Sequence, residues 1–233
     1  MSVRAIGDAH DRRTLADRIY GTLEDDILTG RLEPGSRLRI VPLAARFGTS
    51  QAPVREAIQR LSEQGLAVTV PYLGAVLKEP TSDEILEIYE LREELEALAV
   101  RRILARSRGG ILVDQTIRRA FRELVDTVRV GAAMSVVDAD ANFHRAICAA
   151  ADSPVLLELW SMITKRVRGV RLSHESRVPD ELSTMLDTHR ILLDALESGD
   201  PEVADQAIRQ HLRGAVARLR MVRAATVPSS EPR

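Results

Sequence analysis

The chain has 233 residues, 45% of them hydrophobic and 29% charged, with a formal net charge of −1; at about 150 residues per domain, that length allows one domain with a small module attached. The composition is globular rather than disordered, no apolar run reaches the roughly 18 residues of a membrane span, and an aromatic content of 3% argues against both an all-β fold and a base-stacking single-strand binder. The start of the chain lacks an apolar signal core, and the lone Cys148 has no partner for an internal disulfide, so the expectation is a cytoplasmic protein.

Residues 1–13 are polar and read as a flexible N-terminus. From Thr14 a helical pattern begins, with Leu15, Ile19, Leu23 and Ile27 at near-helical spacing. It stops at Gly30, and Glu33-Pro34-Gly35 marks a turn. A short helix is predicted from Pro42 to Phe47. Gly48 breaks it, and Ser50 is a good N-cap for a helix from Gln51 to Gln64, ended by Gly65. Two β-type runs follow, 66–70 and 75–78, around the turn Pro71-Tyr72-Leu73-Gly74. Three helices and a hairpin over 14–78 make a winged helix-turn-helix. After Pro80 the chain reads as helix throughout. Thr81 and Glu84 have capping-box spacing, and helices are predicted to about 106, then over 111–130, 134–150, 154–175, 180–198 and 201–222. Gly109-Gly110, Gly131, Ser153-Pro154, Pro179 and Gly199-Asp200-Pro201 separate them. The fold class is therefore mainly α: a winged helix-turn-helix followed by a six-helix antiparallel bundle over 81–222, with 224–233 as a disordered tail.

In the helix after Ser50, Val54, Ile58 and Leu61 form an inward stripe, while Gln51, Arg55 and Gln59 share an outward face. Arg can grip guanine or a phosphate, and Gln can pair with adenine; a solvated polar face with an Arg55–Gln59 contact is the plain alternative. Gly74 at the wing tip is placed to approach the DNA backbone or minor groove. Bulk charge adds little, since 1–78 carry 11 basic and 9 acidic residues and the remainder 22 and 25. The segment LRIVPLAARFGTSQAPVREAIQRLSEQGL, preceded by Gly30-Arg31-Leu32-Glu33-Pro34-Gly35, resembles the GntR family of bacterial repressors. That resemblance implies operator binding with Arg55 as the leading contact and Ser50 as helix cap and phosphate contact. Thr49 and Gln51 stand where the family often has Val and Arg, and Leu73 stands where it often has Arg.

Several polar residues sit on stripes that should be apolar. One helix carries Val137, Asp140, His144, Ile147 and Ala151; another carries Leu182, Leu186, His189, Leu193 and Leu196; a third carries Ala204, Ile208, His211, Ala215 and Leu219. Buried polar groups need partners. Asp140, His144, His189 and His211 could satisfy one another by holding a divalent metal, with Zn, Ni and Mn all compatible with mixed N/O ligands. A hydrogen-bonded core network is the alternative for any one of them. Arg92 lies on the stripe Ile85, Ile88, Arg92, Leu95, Ala99 and demands an anion, either a ligand carboxylate or an internal partner such as Asp140 or a Glu. His174 and His10 read as surface residues, and Cys148 as inert packing.

The arrangement D-A-N-F-H, then T-H-R-I-L-L-D-A-L-E-S-G-D, then Q-H-L is similar to the FCD domain of FadR-type GntR regulators, and six helices are closer to the VanR-type branch. Ser153 stands where the family often has Asn. The resemblance implies a metal held by the Asp and three His, Arg92 in an effector pocket, and a small carboxylate effector. It implies a homodimer on a pseudo-palindromic double-stranded operator, most often as a repressor, and no membrane. Two other readings stay open: a metal-free FCD regulator of acyl-CoA or another apolar ligand, and a metalloenzyme, against which stands the lack of an inward general base.

Overall fold

Residues 14–106, 114–130, 133–175 and 179–226 are described by a computed structural model. The N-terminus before Thr14 with His10, the Gly109-Gly110 and Gly131 breaks, and residues 227–233 of the tail lie outside them. The chain divides into two compact units, Met1–Glu79 and Pro80–Arg233.

In the first unit, α1 (Leu15–Leu28) opens on a capping box: the Asp17 backbone N–H donates to Thr14 Oγ1 at 3.1 Å, and the Thr14 N–H donates to the Asp17 carboxylate at 2.6 Å. Ala16, Ile19 and Leu23 face the core, whereas Leu15 is 41% exposed. The expected stripe thus begins one residue late: Leu15 lies about 60° off the middle of the face that Ile19 and Leu23 share, at the margin of the buried arc, whereas Ala16 lies about 40° from it on the other side. The second helix, α2 (Ile40–Arg46), starts two residues before Pro42, which then occupies the first turn, where a missing N–H costs no hydrogen bond. Next comes α3 (Gln51–Glu63), which buries Val54, Ala57, Ile58 and Leu61. Strands β1 (Ala67–Val70) and β2 (Gly74–Leu77) pair antiparallel, Ala67 with Leu77 and Val70 with Gly74.

The wing has a third edge that the sequence pattern does not reveal. The Leu38 N–H donates to the Ala75 carbonyl at 2.8 Å, and the Leu77 N–H to the Ser36 carbonyl at 2.8 Å. The turn after α1 is therefore stitched to the hairpin. Asp26, 1% exposed, holds Arg31 and Arg46, each at 2.6 Å, and so fastens α1 to that turn and to α2.

In the second unit, α4 (Ser82–Arg106) begins at the Thr81–Glu84 capping box, with its two bonds at 3.0 and 3.2 Å. It packs against α6 (Ala133–Ala150), α7 (Pro154–Glu175) and α9 (Pro201–Thr226), while α5 (Gln115–Val130) and α8 (Pro179–Ser198) complete the six helices. Two boundaries move. Instead of starting at 111, α5 starts at Gln115, where Asp114 caps the Thr116 N–H at 2.8 Å. At the other end, α9 continues to Thr226, past the Ala224 at which a disordered tail was expected; two alanines favour helix there, and Pro228 comes only later. The apolar core gathers Val100, Phe143, Ile147, Leu192, Leu196 and Ile208 around α4.

Candidate functional site

The exposed face of α3 carries a row of polar side chains one turn apart. Gln51, Arg55 and Gln59 are all exposed. Arg55 donates to Gln51 Oε1 at 3.2 Å, and Gln59 donates to Glu63 Oε1 at 3.0 Å, so these two contacts stand where the solvated-face alternative had an Arg55–Gln59 contact. Such weak exposed contacts leave these groups exchangeable for nucleic-acid partners. Ser50 occupies the N-cap position, but its side chain accepts no capping hydrogen bond. Gly74, exposed, has φ of 81°, a left-handed conformation that suits glycine at the wing tip. Beside it, Tyr72 is fully exposed with φ of 64°.

The second site lies inside the helical unit. Asp140, His144, His189 and His211 are buried, none more than 7% exposed. One ligand atom from each of His144, His189 and His211 lies within 4.8 Å of the other two. Asp140 Oδ1 stands 3.0 Å from His189 Nε2 and 3.9 Å from His144 Nε2. The partners of the outer nitrogens fix the tautomers. His189 Nδ1 donates to the Met185 carbonyl at 2.7 Å, and His144 Nδ1 donates to Glu96 Oε2 at 2.6 Å. Both Nε2 lone pairs then point to the centre. His189 Nε2 has no hydrogen bond despite its closeness to Asp140. A cation placed there would be held by that nitrogen and by the Asp140 carboxylate together. His144 Nε2 and His211 Nε2 are 3.2 Å apart, and His211 Nδ1 is buried without a partner. The donor set therefore fits a divalent ion of imidazole and carboxylate preference.

Charge reinforces this. Burial lowers the pKa of His144 against the attraction of Glu96. Burial, and then the neighbouring His189 and His144, push His211 well below its ordinary value. Both shifts favour the neutral rings of His144 and His211, the form that ligation requires.

Glu96 is the residue that sequence reasoning missed. It is fully buried, and Oε1 accepts from Arg92 Nε at 2.9 Å and from Trp160 Nε1 at 2.7 Å, while Oε2 takes His144. Burial raises its pKa, but His144, Arg92 and Trp160 outweigh that and keep it ionised. The available signal was its i, i+4 spacing from Arg92. Arg92 is 2% exposed and lies between the rings of Tyr89 and Trp160, 5.0 and 5.9 Å from their centroids. Of its anticipated internal partners, a Glu is present: Glu96, four residues on along the same helix. His174 lies outside the described side chains. Cys148 is buried, its thiol pushed up by burial, and so inert.

Residues 15–76 match the family model described as bacterial regulatory proteins, gntR family, and residues 87–214 match the FCD domain. The chain belongs to the GntR family. Among relatives of this GntR-family chain, a probable D-xylose utilization operon transcriptional repressor of Paenarthrobacter nicotinovorans is 30% identical, covering 86% of this chain and 87% of that protein. A gluconate operon transcriptional repressor of Bacillus licheniformis is 24% identical, covering 86% and 83%. A solved putative GntR regulator from Rhodococcus sp. RHA1 is 26% identical with a TM-score of 0.78, covering 91% and 99%. The chain is thus a DNA-binding transcriptional regulator of a family of regulators rather than enzymes. Among the described residues, no helix is long and apolar enough to cross a membrane.

Proposed function

We propose that this GntR-family regulator is a homodimeric repressor whose operator affinity is set by a small carboxylate bound at a metal in the FCD unit. Ser50, Gln51, Arg55, Gln59 and Gly74 are the DNA-facing residues in this reading, and two copies would present two recognition helices to a pseudo-palindromic operator. Asp140, His144, His189 and His211 would hold the ion. A bound ion supplies fixed positive charge and an open coordination position for a carboxylate oxygen. Glu96 and the Met185 carbonyl orient the His144 and His189 rings. Arg92, desolvated between two aromatic rings, offers the second cationic contact for the same acid. Binding would then bias the two arrangements of the dimer by its differential affinity for them. The relative named for a gluconate operon agrees with an acid effector.

The observation that carries this reading is the buried convergence of three imidazoles, with one ligand atom of each within 4.8 Å of the other two, on Asp140, whose Oδ1 is 3.0 Å from a His189 Nε2 that makes no hydrogen bond. The test is metal content per chain by elemental analysis, before and after reconstitution with Zn, Ni or Mn, in wild type and His189→Ala. The expected result is about one ion per chain, lost in the variant. A reconstituted wild type without metal would make the four residues a structural network and point the effector search toward apolar ligands.

A further inference from the structure

The second unit holds a further buried polar group, Thr164 on α7. It is 7% exposed, and its Oγ1 has no hydrogen-bond partner among the described residues. Other hydroxyls on this chain's helices turn back to the preceding turn: Ser161 to the Leu157 carbonyl at 2.7 Å, and Thr127 to the Glu123 carbonyl at 2.6 Å. Thr164 does not use that outlet. A buried hydroxyl left unpaired carries an uncompensated desolvation cost and calls for an explanation.

Its place in the fold supplies one. Thr164 follows Trp160 by four residues and so shares its face of the helix. Two cross-helix contacts set the register of α7 against α4. The Arg102 Nε donates to the Ala151 carbonyl just before α7, and Glu96 accepts from Trp160. The two helices therefore run antiparallel, and the same register carries Thr164 to the level of Arg92, one turn from Glu96. An orphaned hydroxyl is thus carried to the same level of the bundle as the residue whose guanidinium would take a ligand carboxylate.

We propose that Thr164 is a specificity-determining residue that selects acids bearing a hydroxyl group near the carboxylate. This rests on the carboxylate-effector reading above. A threonine hydroxyl both donates and accepts. A ligand hydroxyl uses both roles, a keto oxygen uses one, and a methylene uses neither. The site then leaves Thr164 unpaired whenever a deoxy acid occupies it, which is the physical basis of discrimination.

The test uses the metal-reconstituted full chain, calorimetric titration and thermal shift. The probes are three acid pairs that differ by one hydroxyl: malate and succinate, citrate and tricarballylate, lactate and propionate. The expected result is that at least one hydroxy acid binds wild type more tightly than its deoxy counterpart. Thr164→Val should weaken that hydroxy acid about 5- to 30-fold and leave the deoxy acid and the metal content unchanged. Thr164→Ser should keep the preference. Without ligand, Thr164→Val should be at least as stable as wild type, because it removes an orphaned polar group; a clear loss of stability means the hydroxyl is structurally satisfied and overturns the inference. Equal binding of both members of every pair to wild type, or an undiminished preference in Thr164→Val, overturns it while leaving the effector reading in place. If none of the six acids binds the metal-loaded wild type, the effector reading and the inference fall together.

Discussion

The two units put their polar chemistry in opposite places. In the winged helix the core is apolar apart from Asp26, and the residues assigned to DNA stand outside it; Arg55 and Gln59 hold neighbours on their own helix. In the FCD unit the polar groups are at the centre, where Arg92, Glu96, Asp140, Thr164 and three histidines interrupt an apolar core. Surface chemistry can change its partners without unfolding the protein. Core chemistry is coupled to stability, because each buried polar atom lost orphans another. A regulator built this way can alter the DNA it reads cheaply, whereas its signal receptor is constrained by folding.

The largest effect expected from that contrast is at Glu96. Glu96→Gln removes the charge that holds Arg92, His144 and Trp160 together and leaves a buried guanidinium unpaired. Urea unfolding of the full chain should show a loss of about 3–5 kcal/mol. A loss below 1 kcal/mol would mean the network relaxes like a surface cluster and would erase the distinction between the units. At Arg55 the balance reverses. Arg55→Ala should cost about 1–3 kcal/mol of operator affinity while unfolding stays within about 0.5 kcal/mol of wild type. Unchanged operator affinity would remove Arg55 from the interface.

Acid separates the units in another way. His144 and His211 have lowered pKa values, so the unfolded chain binds protons below its ordinary histidine pKa of 6.5 before the folded one does. The metal-stripped FCD unit should therefore lose stability as pH falls from about 6.5. In the winged helix, Arg46 and Arg31 overcome burial to lower the pKa of Asp26. The stabilisation from Asp26 is complete above the ordinary value of 3.8 and is lost only as pH falls below it. Scanning calorimetry from pH 7.5 to 5 should move one transition down and leave the other in place; parallel shifts would contradict the assignment. The smallest effect belongs to Ser50→Ala. Because its side chain caps nothing, stability should change by less than about 0.5 kcal/mol. Any larger fall in operator affinity then reports a direct contact.

Much of this was legible in the sequence because helical periodicity speaks clearly when one face is buried. The stripes of α6, α8 and α9 marked Asp140, His144, His189 and His211 as inward by spacing alone. Glu96 was not legible for the same reason inverted: α4 packs against three other helices, so its buried arc is wide and a glutamate just off the apolar stripe reads as surface. The pairing of residues 35–38 with the wing was hidden because backbone hydrogen bonds in a short irregular segment leave no alternation. Thr164 was equally silent, since nothing in a sequence distinguishes a threonine that bonds its own helix from one that does not.

Trp160 is the sole tryptophan of the chain, and its indole N–H is bonded to the carboxylate that also holds Arg92 and His144. The protein therefore carries one built-in fluorophore, wired to the centre of its receptor. Events at the metal ligands or at Arg92 should register in its emission without any label, while DNA binding at the other unit should leave that emission unchanged unless the two units communicate. Intrinsic fluorescence on adding operator alone is thus a direct optical readout of that communication.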